Sequence, residues 1–136
     1  MADPITIVLL GEPAASGRPR FTRRGIAYTP EKTKNERAAL RLAAQEQMNG
    51  AAMLEGPLAL MCVVERRIPI TWSRKRQHEA LLRIHHPITR PDYDNYLKNL
   101  DALTSVVWHD DAQICRVQFE KRYGAQPKIV ITVSQI

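Results

Sequence analysis

The apolar pattern predicts a single small α+β (α/β) domain, a mixed β-sheet with helices packed on it in the order β-α-β-α-β-β. Three observations carry this. Residues 58–65 (Leu-Ala-Leu-Met-Cys-Val-Val-Glu) form a continuous apolar run of strand length, as a central strand buried on both faces requires. Residues 113–123 and 128–133 alternate apolar and polar side chains, the period of a strand with one covered face. Residues 31–48 carry helix signals at both ends. No internal repeat or change of composition divides the chain, so residues 1–136 are expected to form one domain, long enough to bury a core without disulfide or metal staples.

In chain order, Pro4 to Leu10 is rich in β-branched residues and stops at Gly11-Glu12-Pro13, which predicts a first strand. Residues 11–30 read as a loop or irregular hairpin. Thr29-Pro30-Glu31 predicts a helix start, with Thr29 as N-cap, Pro30 in the first helical position and an acid in the first turn. That helix should end near Met48 at Asn49-Gly50 and pack through Leu40, Ala43, Ala44 and Met48. After the central strand, residues 66–90 form a basic insert in which Ser73 caps a short helix through Arg83. At the end of the chain Cys115, Val117, Phe119 and Tyr123 face one way, Arg116, Gln118, Glu120 and Arg122 the other. With Ile129, Ile131 and Val133 inward after the Gly124–Pro127 turn, an antiparallel hairpin is expected.

Twenty Lys+Arg stand against fourteen Asp+Glu, a net charge of +6 that favours a polyanionic partner. Arg18, Arg20, Arg23 and Arg24 surround Phe21 between two glycines, and planar guanidinium groups suit phosphate oxygens. The insert adds Arg74, Lys75, Arg76 and Arg90. These eight are the candidate phosphate-contacting residues, with a scaffold role for Arg18 and Arg20 left open. Cys62 and Cys115 lie in apolar runs and are expected to be buried, reduced thiols. No basic residues precede the short apolar run 5–10, and no segment approaches the ~20 apolar residues that span a bilayer. A cytoplasmic protein with no membrane partner is expected, in a bacterium or a phage-infected host.

Against this basic background, five carboxylates crowd into residues 92–111. If Asp92 to Asp94 is extended, the two-residue period points both acids at one spot. Asp94 can also cap a helix starting at Asn95. At about 100° per residue, such a helix turns Leu97, Leu100, Leu103 and Val107 to one face and Asp94, Lys98 and Asp101 to the other. Asp110-Asp111 precedes an alternating strand that could return it to that polar front. Converging carboxylates with one ammonium suit Mg²⁺ and phosphoryl chemistry, because hard cations prefer oxygen ligands. Capping and solvated turns explain the same residues without a metal.

Pro91-Asp92-x-Asp94-Asn95-x-x-Lys98, Asp101-Ala102-Leu103 and Trp108-x-Asp110-Asp111-Ala112-Gln113-Ile114 resemble the signature of the RusA family of Holliday-junction resolvases. Gly11-Glu12-Pro13, Gly17-Arg18-Pro19-Arg20-Phe21 and Tyr28-Thr29-Pro30 resemble its amino-terminal opening, so the likeness covers most of the chain in order. The resemblance implies a homodimeric, Mg²⁺-dependent endonuclease, with Mn²⁺ as a possible substitute, that nicks opposing strands of four-way DNA junctions in recombination and repair. It implies Asp92, Asp94 and Asp111 as catalytic carboxylates and metal ligands, Asp110 as a further ligand, and Lys98 as the accessory lysine. One departure stands out: relatives have three residues between that lysine and Asp-Ala-Leu, whereas here Asn99 and Leu100 are the only two. On a regular helix the missing residue turns everything beyond it by about 100°. It also touches Leu100, which stands where a relative uses an apolar wedge. The competing readings are a non-catalytic branched-DNA binding module and a metal nuclease without junction preference.

Overall fold

The computed structural model describes residues 2–17 and 19–136. The elements are β1 (Ile5–Leu10), a small hairpin of β2 (Arg20–Phe21) and β3 (Ala27–Tyr28), α1 (Glu31–Met48), β4 (Leu58–Arg66) and α2 (Arg74–Leu81). There follow α3 (Tyr93–Leu97), a 3₁₀ segment (Lys98–Leu103), a 3₁₀ turn (Asp111–Gln113), β5 (Ile114–Tyr123) and β6 (Lys128–Gln135).

The main sheet has the order β1-β6-β4-β5, with β6 antiparallel to both its neighbours and β4 parallel to β5. The expected mixed α+β architecture is therefore present, but the expected β5–β6 hairpin is not. The apolar run of β4 takes a partner on each side and so separates the two strands. Residues 124–127 must then cross two strand spacings, about 10 Å, which a four-residue stretch of roughly 13 Å reach can do. Gly124 makes the crossing possible: its N–H donates to the Arg66 carbonyl at 3.1 Å, and a Cβ there would lie 2.9 Å from the Glu65 carboxyl carbon. Parallel pairing of β4 and β5 requires a long crossover, and residues 67–113 supply it with α2, α3 and both 3₁₀ pieces.

Helix α1 and the α3–3₁₀ segment supply the helical part of the core. Leu40, Ala44, Tyr96, Leu103, Val107 and Trp108 are buried together with Leu58, Cys62, Val64, Ile131 and Val133 of the sheet. Burying each large apolar side chain contributes about 1.5–3 kcal/mol before the entropy of ordering is subtracted. The alternate positions Val8 and Met61 remain exposed, so the sheet is covered on one side. Strand β5 is an edge, and its expected inward face is only partly covered. Tyr123 is buried and Phe119 half-buried, but Val117 and Cys115 are exposed. Cys115 is thus not the buried thiol expected, because the register with β4 slips there: Leu58 pairs with Ile114 and Ala59 with Arg116, so Ile114 takes the core side and Cys115 is left over at the bulge. Cys62 is buried, and burial pushes its thiol up to about 12.

Helix ends follow local chemistry with small shifts. Pro30, with ψ 143°, is itself the N-cap of α1, so Thr29 lies outside and makes no cap. Asn49 closes the helix in the left-handed region (φ 44°) as its sequence predicts. Ser73 caps α2 by accepting the Arg76 N–H at 3.2 Å, and this helix ends at Leu81 rather than Arg83. Beyond the second helix pair, exposed Ser105 holds φ 68° while its N–H donates to the Trp108 carbonyl at 2.7 Å. A side chain in that region is strained and glycine is not. Ser105→Gly is therefore expected to stabilise the fold by about 0.5–1 kcal/mol, read as a raised thermal midpoint; an unchanged or lowered midpoint would contradict it.

Candidate active site

Asp92 and Asp94 do not form an extended pair, and Asp94 is not the N-cap. Asp92 occupies the cap position (φ −74°, ψ 158°) without a side-chain cap bond, and Asp94 lies inside the first turn of α3. Both carboxylates are exposed and face water from the same first turn. The chain starts its helix two residues early because the Asp92 carbonyl already accepts the Asn95 N–H at 3.2 Å. Lys98 lies one turn on, with Nζ 3.9 Å from Asp94 Oδ2 and 3.4 Å from Asn95 Oδ1. The salt bridge expected from the spacing is therefore present in loose form.

Lys98–Leu103 winds as a 3₁₀ helix, in which each residue turns about 120° and positions i and i+3 eclipse. Asp101 therefore sits directly over Lys98, near the direction an α-helix with one more residue would give it. The same winding buries Leu100 and Leu103, so Leu100, 5% exposed, is a core residue and not a wedge.

Asp111 is held from the core side. Its Oδ1 accepts Thr104 Oγ1 at 2.6 Å and Trp108 Nε1 at 2.8 Å, and Trp108 is fully buried. Asp101 faces it. Burial raises the Asp101 pKa above the ordinary carboxylate value, and the neighbouring Asp111 carboxyl raises it further. Burial acts the same way on Asp111, but the hydrogen bonds from Thr104 and Trp108 outweigh it and hold that group low. Two adjacent carboxyls in unlike surroundings thus divide their charge, with Asp111 the more anionic.

Asp110 caps the turn that carries Asp111. Its carboxylate accepts the Ala112 N–H at 2.8 Å, while Gln113 Oε1 accepts the Asp110 N–H at 3.0 Å in a reciprocal capping box. Gln113 Nε2 also donates to the Leu54 and Gly56 carbonyls at 3.0 and 3.1 Å, which ties this turn to the segment before β4. Asp110 fixes the turn that presents Asp111.

Within one chain the acids fall into two pairs, Asp92 with Asp94 and Asp101 with Asp111, separated by roughly 12 Å along the helical segment. Among the described residues no group of three His, Cys, Asp or Glu side chains stands ready around one metal position. The donor chemistry nonetheless suits a hard cation. Mg²⁺ commonly takes one or two carboxylates, keeps waters and completes its shell with substrate phosphate, so a preformed protein cage is not required.

Lys121, a cation not singled out by the sequence, meets Arg66 of the basic insert beside Asp92. Lys121 Nζ donates to the Thr89 and Pro91 carbonyls at 2.8 and 3.0 Å, and Arg66 Nη1 to the Arg90 carbonyl at 3.1 Å. Burial and then Arg66 lower the Lys121 ammonium, against the opposing pull of Asp92. The signal was visible: Lys121 falls between Phe119 and Tyr123, in the apolar phase of its strand, and a charge there needs partners.

The candidate DNA contacts divide by location. Arg20, Arg23 and Arg24 are exposed on the β2–β3 hairpin, and Arg18 lies outside the described residues. Arg74, Lys75 and Arg76 form the exposed first turn of α2, with the Arg76 guanidinium 3.9 Å from the Trp72 ring centre. Arg74 joins Arg67 and His78 around an open cleft of about 520 Å³. Arg90 is exposed one residue before the Pro91 that leads into α3.

Compared with known proteins, residues 11–134 match the family model described as endodeoxyribonuclease RusA. The chain is also 31% identical over 140 residues to the uncharacterized protein YqaN of Bacillus subtilis (strain 168), covering 98% of each. The motifs, the paired carboxylates on α3 and a family match spanning nearly the whole length lead to one conclusion: this chain belongs to the RusA family of endodeoxyribonucleases.

Proposed function

We propose that this endonuclease resolves four-way DNA junctions by paired, Mg²⁺-dependent nicks that leave 5′-phosphate and 3′-hydroxyl ends, in the service of recombination and repair. Family membership supplies the nuclease activity and the branched-DNA substrate class. The observation that carries the finer reading is the pair Asp92 and Asp94, exposed on one helical turn, neither engaged as a cap, with Lys98 one turn on.

Asp92 and Asp94 at one end of the helical segment and Asp111 at the other are the residues that would hold Mg²⁺, with Mn²⁺ as a substitute, each group with waters and substrate phosphate completing the shell rather than all three on one ion. When bound, such an ion lowers the pKa of a water and stabilises the departing 3′ oxygen. Lys98 places an ammonium where charge develops on the scissile phosphate, a stabilisation present before reaction begins. Thr104 and Trp108 keep Asp111 anionic and fixed in orientation. The arginines of the β2–β3 hairpin and α2 draw in phosphates that the carboxylates alone would repel. Two opposed strands cut alike call for two sites related by a two-fold axis, which supports a homodimer.

Labelled four-way junction, linear duplex and flap DNA, each incubated with Mg²⁺ or with chelator, test this. Symmetric nicks in the junction alone, dependent on Mg²⁺, are expected. Tight binding without cutting in Mg²⁺ would replace the proposal with a binding module, and equal cutting of duplex would remove the junction preference.

A further inference from the structure

Ser16, Gly17 and Pro19, with α1 and the start of the 3₁₀ segment, line a cleft of about 350 Å³ together with Thr29, Arg37, Asn95 and Lys98. Its polar groups are held in place from beneath. Asn99, buried under the cleft, donates to the Ala14 carbonyl at 2.9 Å and accepts Arg37 Nε at 3.1 Å. The Ser16 N–H donates to the Asn95 carbonyl at 2.7 Å, and the Gly17 N–H to Thr33 Oγ1 at 2.8 Å. The loop lies so close to α1 that a Cβ on Gly17 would come within 3.1 Å of the Pro30 ring.

Arg37 is half-buried, and its hydrogen-bond acceptors are neutral. Besides Asn99 they are Ser16 Oγ at 3.4 Å and the Lys98 carbonyl at 3.5 Å, both long. Among the described residues it makes no ion pair. A guanidinium steadied through Nε keeps its other edge available, and the second cation of the same cleft, Lys98, is itself only loosely paired. Two cations, a hydroxyl and an amide around one concavity make a complementary seat for a tetrahedral anion.

We propose that this cleft seats a backbone phosphate of the DNA strand being cut, next to the scissile one, with Arg37 as its principal anchor. The inference rests on the nuclease reading above and adds to it a residue of α1, far in sequence from the acidic motif. The seat holds the strand against the side of α3 that carries Asp94 and Lys98, so positioning and cutting share one helix.

The test is binding of labelled four-way junction in chelator, across roughly 50–200 mM salt, by the parent, Arg37→Gln and Arg37→Lys. Loss of one phosphate contact lowers the slope of log affinity against log salt by about 0.9. Arg37→Gln is expected to show that drop with roughly tenfold weaker binding. Arg37→Lys, which keeps the charge, should retain the parent slope. If Arg37→Gln lowers the thermal midpoint but leaves slope and affinity unchanged, Arg37 only ties α1 to α3 and the proposal is overturned. A parent that fails to bind junction DNA would overturn the nuclease reading along with it, so the two failures are distinct.

Discussion

Asp92→Asn and Asp111→Asn are each expected to slow junction nicking on the order of a thousandfold while binding is kept or strengthened. Each replacement keeps the side-chain shape but removes a full negative charge and one of the hard oxygens that a divalent ion prefers. Each also removes a charge that repels DNA phosphates, which is why affinity should not fall. The two variants probe opposite ends of the helical segment. Asp92 is exposed with no cap bond of its own, whereas Asp111 is gripped by Thr104 and Trp108. Measured by single-turnover nicking and by junction binding in chelator, equal losses would mean that both pairs serve one reaction. Parent-like cutting by the Asp92 variant in Mg²⁺ would remove the metal-site proposal.

Trp108→Phe is expected to raise the Mg²⁺ concentration for half-maximal nicking by about 10–100-fold. Its indole N–H is 2.8 Å from Asp111 Oδ1 and 3.2 Å from Thr104 Oγ1, and phenylalanine fills most of the ring's space without that donor. On the proposed metal role of Asp111, Trp108 is a positioning residue that acts through that carboxylate. Because it is fully buried, the smaller ring also costs stability, about 1–3 kcal/mol. The two effects separate experimentally. A purely structural tryptophan would lower the thermal midpoint and leave the Mg²⁺ dependence where it was. If titration of nicking against Mg²⁺ gives superimposable curves for parent and variant, the positioning role is lost.

The extents of β1 and β4, the end of α1 at Asn49 and the inward set Ile129, Ile131 and Val133 were all legible in the chain. Each depends on alternation, a cap or a turn residue acting within a few positions. The apolar face of Leu100 and Leu103 was legible too, although it lies on a 3₁₀ helix that ends at Leu103; Val107, expected on the same helix, is buried from the turn beyond it. The Asp92–Asp94 geometry was misread because a cap two residues earlier is equally compatible with the local residues. Packing of Tyr96 into the core, stacked at 6.1 Å on Phe119, favours the earlier start.

By itself, the sequence determined the family, the α+β class and the identity of the acidic and basic residues, because motif spacing and periodicity are carried along the backbone. Tertiary structure decided which strands are neighbours, since β4 needed partners on both sides and separated two segments whose turn would have allowed a hairpin. It also decided that Asp101 stands beside Asp111, that Asp110 is a cap, and that Arg37 of α1 joins Lys98 in one cleft. Those pairings link residues distant in the chain, and their energies come from burial and hydrogen bonding that exist only once the sheet and helices have closed on each other.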